Sequence, residues 1–438
     1  MHFFLDIDDK KIILRHKSTV VEQSGEFLDR SLRQVPRSRV TVALIFNVKR
    51  EAMQEQTGSG LSPSSFELPS SLLPQINSNA SPASVIPSQQ VNDLYAEWDT
   101  METIQAIWSA LEVLHNVVMI EADAAAFEKL RVSQPDFAFN MAEGLYGPSR
   151  EAQIPAILEM LQIPYLGSDP LTLAVCLDKA RAKEILSYHK IPTAPFAVVR
   201  SMDDFEDARV RFPAMVKPLH EGSSKGIFNS CVVRTPDQLL NEVQSILTSY
   251  GQPALVEEYL PGREFTVAIL GNGKKTRILP IVEIRFDALP PGVNPIYSYE
   301  AKWVWDTADN PLEIFDCPAN LEPGLHAEIE RTCLDAYRVL SCRDWARIDV
   351  RLDRRGVPNI LEVNPLPGIL PKPEDNSCFP KAARAAGMSY QQLIQTVLEI
   401  AFERCGLATS FAEGPSNESS RVGKDHALPV ILEREPNA

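Results

Sequence analysis

The chain of 438 residues lacks the features that mark several classes of protein. No apolar run approaches the roughly 20 residues that a membrane-spanning helix needs, so we expect no membrane partner. Acidic residues outnumber basic ones, 58 against 43, and the net charge of −15 argues against nucleic acid as a general partner. The first residues, MHFFLDIDDKK, lack the basic-then-apolar order of a secretory signal, which predicts a cytoplasmic protein.

Paired cysteine motifs and the standard glycine-rich nucleotide motifs are also missing. Seven cysteines are scattered along the chain without a CxxC pair, so we expect reduced thiols and no zinc site. The glycine spacing fits neither a Walker A loop nor a dinucleotide fingerprint. What is present is a chain long enough for two or three domains, with 44% apolar and 23% charged residues, as in soluble globular proteins.

Strand and helix patterns alternate in the first half of the chain, around one segment of different composition. RVTVALIFNV (39–48) is β-branched and apolar, and helix-spaced and strand-like segments follow it, which predicts an open parallel α/β sheet. Residues 57–92 hold ten Ser, five Pro and a single charged residue, so we interpret residues 52–92 as a disordered insertion, with a long loop as the alternative. After the helical LDKARAKEILSYHKIP, the chain becomes rich in short strands.

Three stretches carry candidate chemistry, and the first is MVKPLHEGSSKGI (215–227). Lys217 ends a β-branched strand, and a loop of Glu, Gly, Ser and Ser follows it. Small residues let backbone N–H groups approach a phosphate, and a nearby lysine supplies the countercharge. The alternative is a hairpin turn with a solvated lysine.

The second stretch is ALVEEYLPGREF (254–265). A strand ends in two glutamates, and Tyr and Leu precede a Pro-Gly turn into another strand. Backbone groups beyond a strand end are free to bind a flat base, and a carboxylate such as Glu264 can accept hydrogen bonds from ribose hydroxyls. The alternative is an exposed acidic edge of a sheet.

The third stretch is ARIDVRLD followed by ILEVNP. Arg347 and Asp349 lie two apart on one strand, Glu362 and Asn364 lie two apart on the next, and a short turn (353–356) makes the strands an antiparallel pair. Adjacent faces then gather three oxygen ligands, of the kind that Mg²⁺ prefers, beside one guanidinium. The alternative is a structural salt bridge, such as Arg347 with Glu362, which leaves Asn364 without a role.

Seven segments, in this order and approximate spacing, resemble the motif series of the D-alanine–D-alanine ligases and their ATP-grasp relatives. The match in order and approximate spacing extends from about residue 136 to 404, and the segments are LDKARAKEIL, VKPLHEGSSKG, EEYLPGREFTVAIL, YSYEAKW, ARIDVRLD, LEVNPLPG and FPKAARAAGMSY. The resemblance implies an N-terminal open parallel α/β domain followed by a two-subdomain ATP-grasp fold. The expected parts are an N-terminal extension (1–38), a substrate domain (39–174) with the insertion (52–92), a central subdomain (175–260), a catalytic subdomain (261–407) and a disordered tail (408–438).

The resemblance also implies roles for individual residues. The residues implied to bind ATP are Lys179, Lys217, Glu221, Gly222, Ser223, Ser224, Glu257, Tyr259, Leu260 and Glu264. Those implied to hold two Mg²⁺ ions, with Mn²⁺ as an alternative, are Asp349, Glu362 and Asn364. Those implied to act in catalysis are Arg347, Lys302, Gly368 and Ser223. Among these, Lys302 reaches the γ-phosphate, while Arg347 and the N–H of Gly368 stabilise a tetrahedral intermediate.

The reaction that the resemblance implies joins an amino acid or small carboxylate to an amine through an acyl phosphate. Three alternatives stay open: a true D-alanine–D-alanine ligase of cell-wall synthesis, a ligase with a thiol or carrier-protein acceptor, and a regulatory ATP-binding protein without catalysis. Small-molecule substrates and a homodimer are the expected partners. A lid around residues 285–315 is expected because an acyl phosphate hydrolyses in water.

The chain departs from the cell-wall ligases around both substrates. Glu97 in YAEWDTMET is the nearest counterpart of the glutamate that holds the first substrate's ammonium, with a helix cap as the alternative. In AEGLYG, Glu143 stands where the family has histidine; that loop, with Tyr146, lines the first-substrate pocket or is a plain surface turn. Lys372 stands where a His-Ser pair is expected, and Ser377 replaces that serine only across an insertion, which predicts a different acceptor pocket.

Overall fold

The computed structural model describes residues 5–8, 11–16, 19–20, 39–49, 97–144, 146–207, 210–305 and 312–407. The chain divides into two units, Met1–Arg39 and Val40–Ala438. The first unit contains three antiparallel strands, β1 (Leu5–Asp8), β2 (Lys11–His16) and β3 (Thr19–Val20), in that spatial order. The predicted insertion (52–92) and tail (408–438) lie outside the described residues.

The second unit begins with the parallel α/β layer that the sequence predicts. The strands and helices of this layer are β4 (Thr41–Phe46), α1 (Met101–Glu112), β5 (Asn116–Glu121), α2 (Ala126–Ser133) and β6 (Phe137–Asn140). The apolar β4 lies between β5 and β6 and is parallel to both, as expected of a strand buried on two faces. Helix α1 begins at Met101 because the Thr100 side chain accepts a hydrogen bond from the N–H of Thr103.

Two antiparallel sheets follow, which confirms the predicted ATP-grasp architecture. The helices and strands that lead into and form the first sheet are α3 (Gln153–Met160), α4 (Pro170–Leu177), α5 (Lys179–Tyr188), β7 (Phe196–Val199), β8 (Ala214–Pro218), β9 (Val232–Val233), α6 (Pro236–Ser249) and β10 (Ala254–Glu258). Its four strands have the order β7-β10-β8-β9, so β8 and β10, which carry the first two candidate stretches, are neighbours.

The second antiparallel sheet carries the third candidate stretch. Its elements are β11 (Glu264–Leu270), β12 (Arg277–Ile278), β13 (Val282–Ile284), β14 (Phe315–Asp316), α7 (Pro323–Val339), β15 (Trp345–Leu352), β16 (Pro358–Asn364), α8 (Cys378–Ala385) and α9 (Tyr390–Arg404). The strand order is β14-β13-β11-β15-β16, with β12 also paired to β11. The segment RILPIVEIR (277–285) forms two strands, β12 and β13, since Pro280 between them has no N–H for a ladder bond.

A buried aromatic cluster joins the parallel layer to the second antiparallel sheet. Trp345 of β15 is 1% exposed and contacts Phe139 of β6 and Phe379 of α8 edge-on, with ring centroids 6.0 and 5.7 Å apart. Asp344 is fully buried and accepts hydrogen bonds from Arg404 and from the N–H of Gly167. These contacts hold β15, and therefore Arg347 and Asp349, in a fixed position relative to the parallel layer.

No helix within the described ranges has the length and apolar character needed to cross a membrane.

Candidate active site

One cavity of about 380 Å³ collects nearly all the residues singled out in the sequence. The predicted residues that line it are Glu97, Glu143, Lys179, Lys217, Glu221, Gly222, Ser223, Ser224, Glu257, Tyr259, Leu260, Glu264, Lys302, Arg347, Asp349, Glu362, Asn364 and Gly368. The exception is Tyr146, whose side chain is 64% exposed and does not line the cavity. Stretches far apart in the chain therefore share one site.

The third stretch forms the floor of this cavity, with the register that its spacing predicts. Arg347 lies opposite Asn364 and Asp349 lies opposite Glu362 on the paired strands β15 and β16. Arg347 Nη2 is 3.0 Å from Asp349 Oδ2 and 3.7 Å from Glu362 Oε1. The amide of Asn364 lies 3.4 Å from Glu362 Oε1 and 3.5 Å from Asp349 Oδ2. Two carboxylates and a carboxamide thus meet at one point, beside a guanidinium.

A β-bulge at this point was not visible in the sequence. The pairing shifts between Asp349 and Val350, so that Leu361 is the extra residue on β16. Simple alternation would place Leu361 on the face opposite Glu362, yet both line the cavity. The bulge therefore brings an apolar side chain next to the carboxylates.

Charges around the two carboxylates push their protonation equilibria in opposite directions. Burial acts to raise the pKa of Glu362, but Lys179, Arg347 and Lys217 together outweigh it and hold this pKa at about 2. Burial raises the pKa of Asp349, and neighbouring Glu362 adds to that rise although Arg347 opposes it. The free energy of crowding two carboxylates together is relieved by any cation bound between them.

The first stretch presents buried lysines rather than a solvated one, so the hairpin-turn alternative is wrong. Lys217 is 5% exposed, and its Nζ is 2.5 Å from Glu257 Oε1. Lys183 Nζ binds the other oxygen of Glu257 at 2.9 Å. Burial would raise the pKa of Glu257, but the two ammonium groups lower it to about 2. Lys183 was missed, although it follows Lys179 by one helical turn on α5 and so shares its face.

The loop after Lys217 is strained and closes over the same cavity. Ser223 and Ser224 have φ values of 50° and 59°, in the left-handed region that non-glycine residues seldom occupy. Lys179 Nζ donates to the carbonyl oxygen of Glu221 at 2.5 Å, and Ser224 Oγ donates to that of Tyr297 at 2.9 Å. These hydrogen bonds connect the loop to α5 and to the segment that leads to Lys302.

Glu97 contacts this loop and an arginine that the sequence did not single out. Its Oε1 accepts a 2.6 Å hydrogen bond from the N–H of Gly222, where an added Cβ would lie 2.7 Å from the same oxygen. Arg150 Nη2 lies 2.9 and 2.8 Å from the two oxygens of Glu97, and 3.2 Å from Glu221 Oε2. Thr100 is the helix cap, so the cap alternative for Glu97 is wrong.

Two further carboxylates beside Glu97 have no partner. Within the described part of the chain, Glu143 and Glu151 line the cavity and make neither a hydrogen bond nor an ion pair. Burial, reinforced by the neighbouring acidic groups, raises the pKa of Glu143 well above its usual value. The same causes raise the pKa of Glu151 to about 8. Among the described residues, this end of the cavity is therefore acidic, and Arg150 and Lys179 are the cations whose charges oppose the rise in the pKa of Glu151.

The second stretch is buried as well, so the alternative of an exposed acidic edge is wrong. Glu257 is 2% exposed and Glu264 is 8% exposed. Glu264 Oε2 accepts a 2.8 Å hydrogen bond from Arg351, which lies directly opposite it on β15. Burial raises the pKa of Glu264 although Arg351 opposes that rise.

Comparisons with known proteins agree with this arrangement of motifs. The family model described as "D-ala D-ala ligase C-terminus" matches residues 185–399. The D-alanine–D-alanine ligase of Pelotomaculum thermopropionicum is 31% identical over 319 residues, which cover 70% of this chain and 93% of that protein. The chain belongs to the D-alanine–D-alanine ligase family. It is accordingly an ATP-grasp ligase that forms carbon–nitrogen bonds.

Other relatives of this ligase extend the comparison. The uncharacterised protein y4sG of Sinorhizobium fredii is 37% identical over 316 residues, 70% of this chain and 89% of that protein. The crystal structure of D-alanine–D-alanine ligase from Bacillus anthracis complexed with ATP has a TM-score of 0.56 at 21% identity. The structural match covers 83% of this chain and 98% of the Bacillus anthracis chain, which supports the ATP-grasp fold.

The ligase departs from the family pattern beyond Gly368, and the structure shows where the residues of that segment lie. Lys372 lies outside the cavity lining and pairs with Glu102 at 2.8 Å. Ser377 lines the cavity, accepts a hydrogen bond from the N–H of Leu370 and donates to the carbonyl oxygen of Gly368 at 3.3 Å. Glu374, Asp375 and Asn376 of the inserted segment also line the cavity, so the insertion forms part of the site, and Ser377 lies beside Gly368.

Proposed function

We propose that this ligase transfers the γ-phosphoryl group of ATP to the carboxylate of an amino acid or similar small molecule, and then joins the activated carboxyl group to an amine. The observation that carries this proposal is the convergence on β15 and β16. Arg347 lines the cavity with its Nε atom buried and, among the described residues, unpartnered, next to Asp349, Glu362 and Asn364. A buried N–H without an acceptor is costly, and a substrate oxygen would satisfy it.

The residues on the cavity floor fit magnesium. Asp349, Glu362 and Asn364 offer hard oxygen ligands, and the close approach of the two carboxylates favours a cation between them. These three side chains would hold two Mg²⁺ ions, or Mn²⁺ in their place. When bound, the ions neutralise the phosphoryl oxygens and keep the attacking and leaving oxygens in line.

The part of the cavity that contains Lys179, Lys217 and the loop after Lys217 suits the nucleotide. Lys179 and Lys217 would contact the phosphates, and the strained loop, Glu221 to Ser224, would close over them while Glu97 holds its Gly222 N–H. Glu257, with the backbone of Tyr259 and Leu260, would face the adenine, and Glu264 would face the ribose. Glu257 is already held by two lysines, so it is fixed before ATP arrives.

The chemical steps follow from the atoms around Arg347. An oxygen of the substrate carboxylate attacks the γ-phosphorus, the bond to ADP breaks, and an acyl phosphate forms. The amine then attacks the acyl carbon, the bond from that carbon to the phosphate-bearing oxygen breaks, and inorganic phosphate leaves with that oxygen and takes up the proton that the amine loses. Arg347 and the N–H of Gly368 would stabilise the tetrahedral oxyanion, and Lys302 and Ser223 would hold the transferring group. The cavity must exclude water throughout, since water competes with the amine.

We predict that kcat/KM for ATP falls at alkaline pH. Burial and the neighbouring Arg347 lower the pKa of Lys302 to about 8, although Glu362 and Asp349 oppose this. Because the charged form is the acid form, Lys302 loses its charge above about pH 8, and kcat/KM then falls about tenfold per pH unit. A pH profile of phosphate release measures this fall. Lys302→Arg should remove it, because arginine stays charged; an unaltered fall in that variant would contradict the assignment.

The acidic end of the cavity suits the ammonium group of an amino acid. Both oxygens of Glu97 are occupied by Arg150 and Gly222, whereas Glu143 and Glu151 are unpartnered in the described structure. We therefore assign the ammonium to Glu143 and Glu151, and give Glu97 the task of holding the loop at Gly222.

Replacing Glu143 with Gln should raise KM for the amino acid about tenfold and leave KM for ATP within twofold, since an amide cannot ionise beside the bound ammonium as the carboxyl group of Glu143 can. Initial rates of phosphate release against amino-acid concentration measure the effect. Glu159→Gln is the matched control, because Glu159 pairs with Tyr165 away from the cavity. An unchanged KM for the amino acid in Glu143→Gln would contradict the assignment.

A true D-alanine–D-alanine ligase is the second candidate, favoured by the position of Ser377 beside Gly368. A screen of phosphate release with pairs of D- and L-amino acids decides between the two. Turnover with D-alanine alone would identify the cell-wall activity, and turnover only with other pairs would exclude it. A thiol or carrier acceptor predicts turnover only when such an acceptor is added.

We also propose that the protein is a homodimer, which sedimentation velocity measures.

A further inference from the structure

Arg351 is a buried arginine inside the cavity that none of the roles above uses. It lies on β15 two residues after Asp349 and four after Arg347, so the three side chains share one face of the strand. Its side chain lines the cavity, although the residue is only 4% exposed. An arginine is rarely buried to this degree unless every donor has a function.

Three acceptors from three different segments hold the Arg351 guanidinium. Nη1 donates to Glu264 Oε2 at 2.8 Å, on the neighbouring strand β11. Nη2 donates to Tyr259 Oη at 2.9 Å and to the carbonyl oxygen of Pro295 at 2.7 Å. The guanidinium also lies over the rings of Tyr259 and Phe286, with its carbon 4.9 and 5.2 Å from their centroids.

The third nitrogen of the Arg351 guanidinium, Nε, is buried and has no hydrogen-bond partner among the described residues. A buried N–H left in this state destabilises the protein, which native structures seldom tolerate without a ligand or a solvent molecule to accept the bond. The group therefore marks a position in the cavity where an acceptor from a bound molecule is expected.

We propose that Arg351 is a positioning residue for the sugar of the nucleotide, which rests on the proposed ATP-dependent function. Arg351 holds Glu264 in one orientation, with Tyr259 and Pro295 fixing the guanidinium from the other side. The second oxygen of Glu264 is then directed at the ribose hydroxyls. A lone glutamate on β11 would have to be ordered by the nucleotide itself, which weakens binding. Arg351 thus determines how strongly the site distinguishes a ribose from a sugar without hydroxyls.

The test compares the affinities of ATP and 2′,3′-dideoxy-ATP in the presence of Mg²⁺, by calorimetric titration of the full chain without an amino acid. Wild-type protein should bind ATP at least about tenfold more tightly, since hydroxyl hydrogen bonds to a charged group are lost in the analogue. Arg351→Met should reduce that preference to within about twofold, mainly by lowering the affinity for ATP. A merely structural role for Arg351 would instead weaken both nucleotides equally.

Two further variants keep the test decisive. Arg351→Lys retains the charge opposite Glu264, so it should fold even where the methionine variant does not. One ammonium cannot reach all three acceptors, so its ATP preference should fall below about threefold. Arg263→Met is the matched control, because Arg263 also pairs with a glutamate and lies over a phenylalanine ring, but outside the cavity. The preference of Arg263→Met for ATP over 2′,3′-dideoxy-ATP should equal that of the wild-type protein.

Each outcome bears on a distinct claim. Full preference for ATP in Arg351→Lys or Arg351→Met, or no preference in the wild type, would overturn the role of Arg351 and leave the ligase assignment standing. Failure of the wild-type protein to bind ATP at all would overturn the proposed function, and the role of Arg351 with it.

Discussion

Replacing Glu362 with Gln should lower amino-acid-dependent phosphate release by about 10³-fold, roughly 4 kcal/mol in the activation free energy. The substitution keeps the size of the side chain but removes a carboxylate. That carboxylate lies opposite Asp349 and forms an ion pair with Lys179. The cavity floor would then bind magnesium weakly, and the phosphoryl oxygens would lose their counter-ion. Initial rates over a range of Mg²⁺ concentrations measure the loss.

The fold should survive this substitution, which separates a chemical effect from unfolding. Glu362 is a charged group crowded against Asp349, so its neutralisation removes repulsion as well as attraction, and thermal unfolding should change little. Glu403→Gln is a matched control, since Glu403 is an exposed carboxylate on α9 that pairs with Lys275. More than about a tenth of wild-type activity in the Glu362→Gln variant would contradict the assignment of Glu362 as a magnesium ligand.

Replacing Arg347 with Lys should reduce kcat by about 10²- to 10³-fold, while KM for ATP changes by less than about threefold. Lysine keeps the positive charge but not the planar fork of donors. The fork lets Arg347 hold Asp349 at 3.0 Å while its buried Nε stays available to a substrate oxygen. The donor that stabilises the tetrahedral oxyanion is therefore lost, although the local charge balance is kept.

Arg343→Lys provides the comparison for this variant. Arg343 also pairs with an aspartate, Asp169, and lies four residues before Arg347, but it does not line the cavity. Its kcat should equal that of the wild type. Equal losses in both variants, or a rise in KM for ATP that accounts for the whole loss in Arg347→Lys, would show that Arg347 acts in folding or nucleotide binding instead.

The parts of the site that were predictable depend on short-range periodicity. Arg347 with Asp349, and Glu362 with Asn364, share a strand face because strand side chains alternate, and a short turn fixes which strand face meets which. That is why the floor of the cavity could be assembled from two adjacent segments. The parallel layer follows from patterns of the same kind, whereas the two-subdomain ATP-grasp fold was expected from the resemblance to a known family.

The parts that were not predictable depend on contacts between distant segments. Arg150 and Glu97 are 53 residues apart, and Arg351 and Glu264 are 87 apart, so neither pair has a local signal. The bulge at Leu361 is a one-residue irregularity in a run that reads as a regular strand. Tyr146 was expected in the first-substrate pocket or on a surface turn; its side chain is 64% exposed and does not line the cavity, and a loop residue has no periodicity that could have decided this.

The central claim is that a substrate carboxylate takes the γ-phosphoryl group before the amide bond forms. The measurement that tests it most directly uses the amino-acid pair that turns over, with the carboxylate of the first amino acid labelled with ¹⁸O. Mass analysis of the released phosphate should find one ¹⁸O atom per phosphate, together with ADP as the nucleotide product. Unlabelled phosphate, or AMP in place of ADP, would contradict the account.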